Sequence, residues 1–392
     1  MVDSAEARAR HRPGGHSEKG AAKVMQRPGD NAPDARGVSI ESIGCRPNIL
    51  LIRAGALGDC LLLLPTLMAL RSRYPQARID VMGYPERWEW VLGRGLVDAV
   101  HAIERPGMHL LFCADPATLE IPEALLSFLG TYDLILSYRP DGDGLFQRHL
   151  RALSAGLVLS QPPFPPPPKV HVADFALQLV AQLGIPPAPV TPHLRLTCDE
   201  LALVQPFFTA HQVDPSQSPI IVVHPGSGSV AKRWPIENFA ILLDTLETQR
   251  WARTIVVTGY VEADVVARLH ALLPRTKPLV AANWPLRPTM ALIGQATGFI
   301  GHDSGLTHLA AALGRPTVAL FGPTDPEIWG PRGEHVTVVE MAREPAVMSA
   351  RAPDQTVLGT ASHTIRQVLA AVQGWLAAAP PRRSLDDRSA QS

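Results

Sequence analysis

Short apolar runs, each closing on a small or polar turn, recur along the chain. Pro47-Asn48-Ile49-Leu50-Leu51-Ile52 is of strand length and leads into Arg53-Ala54-Gly55-Ala56-Leu57-Gly58-Asp59. Leu61 to Arg73 reads as a helix that stops before Pro75, with Pro65 bending it in its first turn. Arg78–Met82 and Ala99–Ile103 read as strands around a helical stretch from Glu86 to Leu92. A helix from Pro122 to Leu129 precedes a strand at Tyr132–Ser137, and a helix from His171 to Leu183 ends at Gly184. The alternation then restarts. Helix Glu200–His211, strand Pro219–Val223, helix Ile236–Thr248, strand Thr254–Thr258, a strand near Leu279-Val280 and one opening at Phe299 follow, with a last helix over Thr364–Ala378. Strands that alternate with helical stretches predict parallel sheets covered on both faces.

The two series are separated by a Pro-rich stretch, which places a hinge between about Pro186 and Asp199. The expected organisation is therefore an N-terminal Rossmann-like domain over 45–192 and a C-terminal one over 193–379, facing each other across a cleft. The last helix can pack back on the N-terminal domain. Residues 1–44, rich in Arg, Gly, Pro, Asp and Ala, and the tail 380–392 read as disordered extensions. The run Gln161-Pro162-Pro163-Phe164-Pro165-Pro166-Pro167-Pro168 reads as a stiff surface loop.

Composition narrows the function. Thirty-six basic and 36 acidic residues cancel, which argues against a nucleic-acid partner. Cys45, Cys60, Cys113 and Cys198 lie far apart with no C-x-x-C pair, so neither a zinc site nor a disulfide framework is expected. No run approaches the roughly 18 apolar residues that span a bilayer; the longest, Cys60 to Leu70, carries Pro65.

Chemistry-bearing groups gather after strands. Phe299 to Pro326 reads strand, turn, helix, strand, and the turn Asp303-Ser304-Gly305 leaves free N–H groups at a helix start. An anion would sit above Ser304, Gly305 and Leu306, although an ordinary βα turn fits the same pattern. Asp59 stands at or beside a helix start. Gly226-Ser227-Gly228-Ser229 precedes Lys232, which is either a phosphate clamp or a solvated lysine; Ala231 and Arg233 rule out a Walker A motif. Asp303, Ser304 and His308 lack the G-x-S-x-G elbow of serine hydrolases. His308 reads as a packed or capping histidine or as a phosphate contact. Glu262, just beyond Gly259, suits a ribose or is a common first-turn glutamate. Asp141-Gly142-Asp143 is a D-x-D string of the type that holds metal on sugar nucleotides, but its place in a Gly-rich segment marks it as a solvated turn.

Arg53–Asp59 with Pro65, then His224-Pro225-Gly226, Lys232-Arg233-Trp234-Pro235, Asp303-Ser304-Gly305-Leu306-Thr307-His308 and Gly322-Pro323-Thr324-Asp325-Pro326 together resemble glycosyltransferase family 9, the ADP-heptose:lipopolysaccharide heptosyltransferases and their relatives. The resemblance runs in order from about Cys45 to Ala378. It implies an α/β GT-B fold and an inverting, metal-independent transfer that needs no cofactor. Asp59 is implied as general base, with Lys232 meeting the leaving diphosphate. Gly58, Gly226, Ser227, Ser229, Glu262, Asp303, Ser304, Gly305, Leu306 and His308 are implied as the donor site. The implied partners are a nucleotide-sugar donor, heptose from ADP-heptose, and a glycolipid acceptor of the lipopolysaccharide core. That acceptor would be met in the cytoplasm at the inner face of the inner membrane, where Arg139, Arg148 and Arg151 can face an anionic acceptor or lipid surface. A sugar-nucleotide hydrolase or epimerase, or a binding protein without turnover, are the alternatives.

Overall fold

A computed structural model describes residues 43–113, 121–186, 191–259, 262–341 and 362–378. Nearly all of the 1–44 and 380–392 extensions, and residues 187–190 of the expected hinge, lie outside the described residues. The N-terminal sheet is built from β1 (Asn48–Ile52), β2 (Arg78–Gly83), β3 (Ala99–Ala102), β4 (Leu134–Ser137) and β5 (Leu157–Ser160) in the order β3-β2-β1-β4-β5. The C-terminal sheet holds β6 (Ile220–His224), β7 (Arg253–Thr258), β8 (Leu279–Ala282), β9 (Gly298–His302), β10 (Thr317–Phe321) and β11 (Val336–Glu340) in the order β11-β10-β9-β6-β7-β8. Every pairing is parallel. The central strands are buried along their length, as expected where helices cover both faces. This is the two-domain Rossmann-like architecture that the alternation predicts.

Several elements differ from expectation for local reasons. The helix before Pro75 is split into Leu57–Leu61 and Leu64–Arg73, because Pro65 has no N–H to give and so opens a helix. Pro206 likewise divides the expected Glu200–His211 helix into Cys198–Leu203 and Gln205–Ala210. The Asp141-Gly142-Asp143 turn starts an unexpected helix, Leu145–Leu153, which it caps. The Asp141 carboxylate accepts from the amides of Phe146 (3.0 Å) and Gln147 (2.8 Å), and Asp143 from that of Leu145 (3.1 Å). The two carboxylates thus serve as caps of this helix. The last helix, His363–Ala378, packs on the C-terminal domain and does not return to the N-terminal one. Ile365, Val368, Leu369 and Val372 join the core of that sheet, and Trp375 lies where a side chain at Gly298 would stand.

The domains meet along a continuous apolar core in which Leu57 and Leu61 of the first helix join Leu309, Ala312 and Leu313. Two polar connections flank it. On one side, fully buried Glu200 receives Arg94 of the N-terminal domain at 2.7 and 2.9 Å, and Arg287 at 3.1 Å. On the other, Lys169 pairs with Asp325 at 2.5 Å, His171 Nε2 donates to the Gly330 carbonyl at 2.9 Å, and Asp174 pairs with Arg332.

Candidate active site

Strand order reverses between β1 and β4 in one sheet and between β6 and β9 in the other, and ligands of such sheets bind beyond the carboxyl ends of strands at these points. Both turns that follow carry the sequence motifs. They come from different domains and touch. A Cβ on Gly305 would fall 2.7 Å from Leu57 Cβ and 2.9 Å from the Gly58 nitrogen. Only the lack of a side chain on Gly305 lets the helix starting at Leu57 lie against the N-terminus of the helix Gly305–Ala312.

Asp59 is the next residue after this contact. Its side chain is 21% exposed, and Arg53 Nη2 lies 3.2 Å from Oδ1. Oδ2 accepts from the Ala56 amide at 2.9 Å. Gly55 makes this possible, since a Cβ there would lie 2.7 Å from Oδ2. Arg53 is itself fixed, donating to the Tyr138 carbonyl at 3.1 Å. A carboxylate held by one guanidinium and one amide keeps free lone pairs and an open edge.

Across the boundary, Ser304 opens the second helix with extended backbone and no side-chain cap; its hydroxyl turns to Thr307 at 3.2 Å. The first amides of this helix are therefore left to whatever approaches them. Lys232 Nζ lies 2.6 Å from Asp303 Oδ2, which also accepts from Thr324 at 2.8 Å, while His308 Nε2 stands 3.9 Å from Oδ1. Burial alone would raise the Asp303 pKa. The neighbouring His308 ring, hydrogen bonds from Lys232 and Thr324, and the Lys232 charge outweigh it and bring it down to about 2. Asp303 thus anchors Lys232 beside the helix start, and His308 is packed between Asp303 and Gly58.

The loop after β6 is supported from below. Glu262 is 4% exposed and its Oε2 accepts from the Gly259 amide at 2.7 Å. Its other oxygen lies against Gly226, where a Cβ would be 2.0 Å away. Glu262 therefore shapes the floor of the Gly226 loop. The Ser227 carbonyl accepts from Arg233 Nη2 at 3.1 Å, and the Ser227 hydroxyl is buried without a partner. Ser229 is exposed and its carbonyl accepts from the Lys232 amide.

His302 is the residue that motif reading missed. It ends β9 fully buried, Nε2 accepts from the Trp234 amide at 2.7 Å, and Nδ1 lies 3.0 Å from the Gly226 carbonyl. An amide only donates and a carbonyl only accepts, so the ring is neutral with its proton on Nδ1. Burial pushes its pKa down to about 4, against the opposing pull of the Gly226 carbonyl. One imidazole thus ties the Gly226 loop to the Lys232-Arg233-Trp234 segment.

The remaining candidates lie apart. Arg148 is exposed and Arg151 half-buried, while Arg139 stacks on Phe112 (4.7 Å) and Phe146 (5.2 Å). Among the described residues no cluster of three His, Cys, Asp or Glu could hold a metal ion, and no helix is long and apolar enough to cross a membrane.

Two parallel-sheet domains with facing βα turns, an anchored lysine at a helix N-terminus and a carboxylate opposite define a GT-B glycosyltransferase. Residues 150–356 match the glycosyltransferase family 9 (heptosyltransferase) model, and the chain belongs to that family. It is 27% identical over 315 residues to lipopolysaccharide heptosyltransferase 2 of Salmonella typhimurium, covering 75% of this chain and 88% of the relative. Lipooligosaccharide heptosyltransferase 2 of Haemophilus influenzae is 26% identical, with the same shares covered. A glycosyl transferase family 9 structure from Veillonella parvula superposes with a TM-score of 0.67 at 22% identity, over 85% of this chain and 98% of the other. The structure of E. coli ADP-heptose LPS heptosyltransferase II superposes with 0.63 at 21%, over 84% and 98%.

Proposed function

We propose that this chain transfers heptose from ADP-heptose to a hydroxyl of a lipopolysaccharide-core-like acceptor, with inversion and without a metal. The relatives' substrates support the donor and acceptor classes. One observation carries the mechanism: Asp59 of one domain follows directly on the Gly58–Gly305 contact, so it stands beside the helix start of the other domain. The acceptor oxygen attacks the anomeric carbon from the face opposite the diphosphate. Its proton passes to Asp59 as the new C–O bond forms. The bond from that carbon to the diphosphate oxygen breaks and its electron pair leaves with ADP. Lys232 and the amides of Gly305 and Leu306 meet the charge that develops there, as preorganised donors should. Asp303 and His308 hold Lys232 and the helix start in register. Ser227, Ser229 and the Gly226 loop over Glu262 take the nucleotide side. The acceptor is lipid-anchored, so the reaction takes place at the cytoplasmic face of the inner membrane.

The test is incubation of purified protein with ADP-heptose and a truncated core acceptor in excess EDTA, with transfer read by mass and the anomeric configuration by NMR of the anomeric proton. A heptosylated acceptor of inverted anomeric configuration supports this reading. ADP release in the absence of acceptor makes the protein a hydrolase. Loss of transfer in EDTA that Mg²⁺ restores overturns metal independence.

A further inference from the structure

The Pro-rich run 161–168 has no counterpart in the motifs that define the site, yet it lies against Arg53, the partner of the site's central carboxylate. Its one large side chain, Phe164, is 40% exposed and is nonetheless held on two sides. The Arg53 guanidinium lies over the ring, 5.0 Å from its centroid, and Trp329 of the C-terminal domain meets it edge-on at 4.9 Å and 64°. Arg53 is the residue that holds Asp59, so Phe164 and Asp59 are separated by the width of one guanidinium group. The backbone that carries the ring is stiffened by the flanking prolines. It is tied to the opposite domain just beyond them, through Lys169 to Asp325 and His171 to the Gly330 carbonyl.

An exposed aromatic ring usually belongs to a mobile surface. This one is immobilised, stands at the meeting of both domains, and leaves part of its surface open next to the group that takes the acceptor's proton. Such a ring suits the C–H face of a pyranose, which is apolar while its rim of hydroxyls is not. We infer that Phe164 is a specificity-determining wall of the acceptor subsite, stacking on the sugar ring whose hydroxyl points to Asp59. The inference rests on the glycosyl transfer proposed above. It assigns the proline run the task of holding that wall rigid across the domain boundary.

The test uses the full chain and a soluble, deacylated core oligosaccharide, with both transfer kinetics and equilibrium binding in the presence of ADP. Loss of one aromatic stacking partner in Phe164→Ala should raise the acceptor KM and weaken oligosaccharide binding by about five- to tenfold. The donor KM should stay unchanged. Phe164→Tyr should behave as wild type, and Phe164→Leu, which keeps bulk without a π face, should resemble Phe164→Ala. Unchanged binding in Phe164→Ala, a Leu variant equal to wild type, or a fall in kcat alone would each overturn the inference, the last by making the ring a mere prop for Arg53. Wild-type protein that binds the oligosaccharide but transfers nothing would count against the proposed reaction, with Phe164 still judged by the binding arm. Wild-type protein that does not bind it overturns the subsite.

Discussion

Lys232 and Asp303, 71 residues apart in the chain, meet at 2.6 Å beside the start of the Gly305–Ala312 helix. The carboxylate positions a cation that, in the proposed reaction, meets the diphosphate of the donor. Removing the cation and removing its anchor should therefore differ. Lys232→Ala is expected to lower kcat by roughly a hundredfold, the scale of one lost preorganised donor. Asp303→Asn should cost less in kcat and show mainly as a higher donor KM, since the ammonium remains but is no longer held. Initial-rate kinetics on both variants check this ordering.

The same carboxylate gives a stability signature in acid. Its pKa in the folded protein, about 2, lies below the ordinary value of 3.8. The stabilisation is therefore present above about pH 4 and is lost as pH falls towards 2, and it is on the order of 2 kcal/mol. Denaturant midpoints of wild type and Asp303→Asn should converge over that window and stay parallel above it.

Gly58 and Gly305 make a sharper structural test because they face each other with unequal room. A methyl group on Gly305 meets Leu57 and Gly58 at 2.7–2.9 Å, whereas one on Gly58 finds its nearest neighbours at 3.5–3.7 Å. Gly305→Ala should push the domains apart, lowering turnover steeply and raising the radius of gyration in solution scattering. Gly58→Ala should leave the domain contact intact and gain about 0.5–1 kcal/mol of helix stability.

His302 should reveal itself through pH. Its pKa falls from 6.5 to about 4 on folding, so the unfolded chain binds the extra proton first. Stability is complete above 6.5 and declines as pH drops through 4. His224, also lowered by burial, acts in the same direction. His302→Ala leaves the Trp234 amide and Gly226 carbonyl unpaired, at about 1–3 kcal/mol for each buried group. His302→Asn, which can donate to one and accept from the other, should recover donor affinity and flatten the pH dependence between 4 and 6.5.

Asp59→Asn keeps the shape and removes the carboxylate proposed as base. Transfer should fall by roughly 10²- to 10⁴-fold while ADP binding, measured calorimetrically, is retained. Wild-type turnover in this variant would place the proton elsewhere.

These residues also mark where sequence reading succeeds. The turns at Asp59 and Asp303 are legible because a strand, a small-residue turn and a helix start are written within a few consecutive residues. The two sheets follow from the same local alternation. His302 escapes because its partners, Gly226 and Trp234, are 76 and 68 residues away, and a buried neutral imidazole looks like any other apolar strand end. The helix Leu145–Leu153 is hidden by the Gly-rich turn ahead of it, whose aspartates read as solvated until the amides they cap are seen. Glu262 makes a structural contact that its place in the sequence does not announce. Its position beyond a strand invites a ligand role, while the absence of a side chain at Gly226 is what draws its carboxylate inward.

The two polar connections between the domains are unequal in kind. Glu200 and Arg94 are enclosed, so separating them would strand charge in a dry interior. Lys169 is 65% exposed, and water and salt readily replace Asp325 as its neighbour. The molecule therefore has a spine and a fore-edge, like a book. Any opening would take the enclosed Glu200 side as its axis, and on the other side the exposed Lys169 pair yields to salt before the Asp174–Arg332 pair and the His171–Gly330 bond. Ionic strength then becomes a control on how often the pages part, and moderate salt should hasten whichever step of turnover waits for the domains to separate.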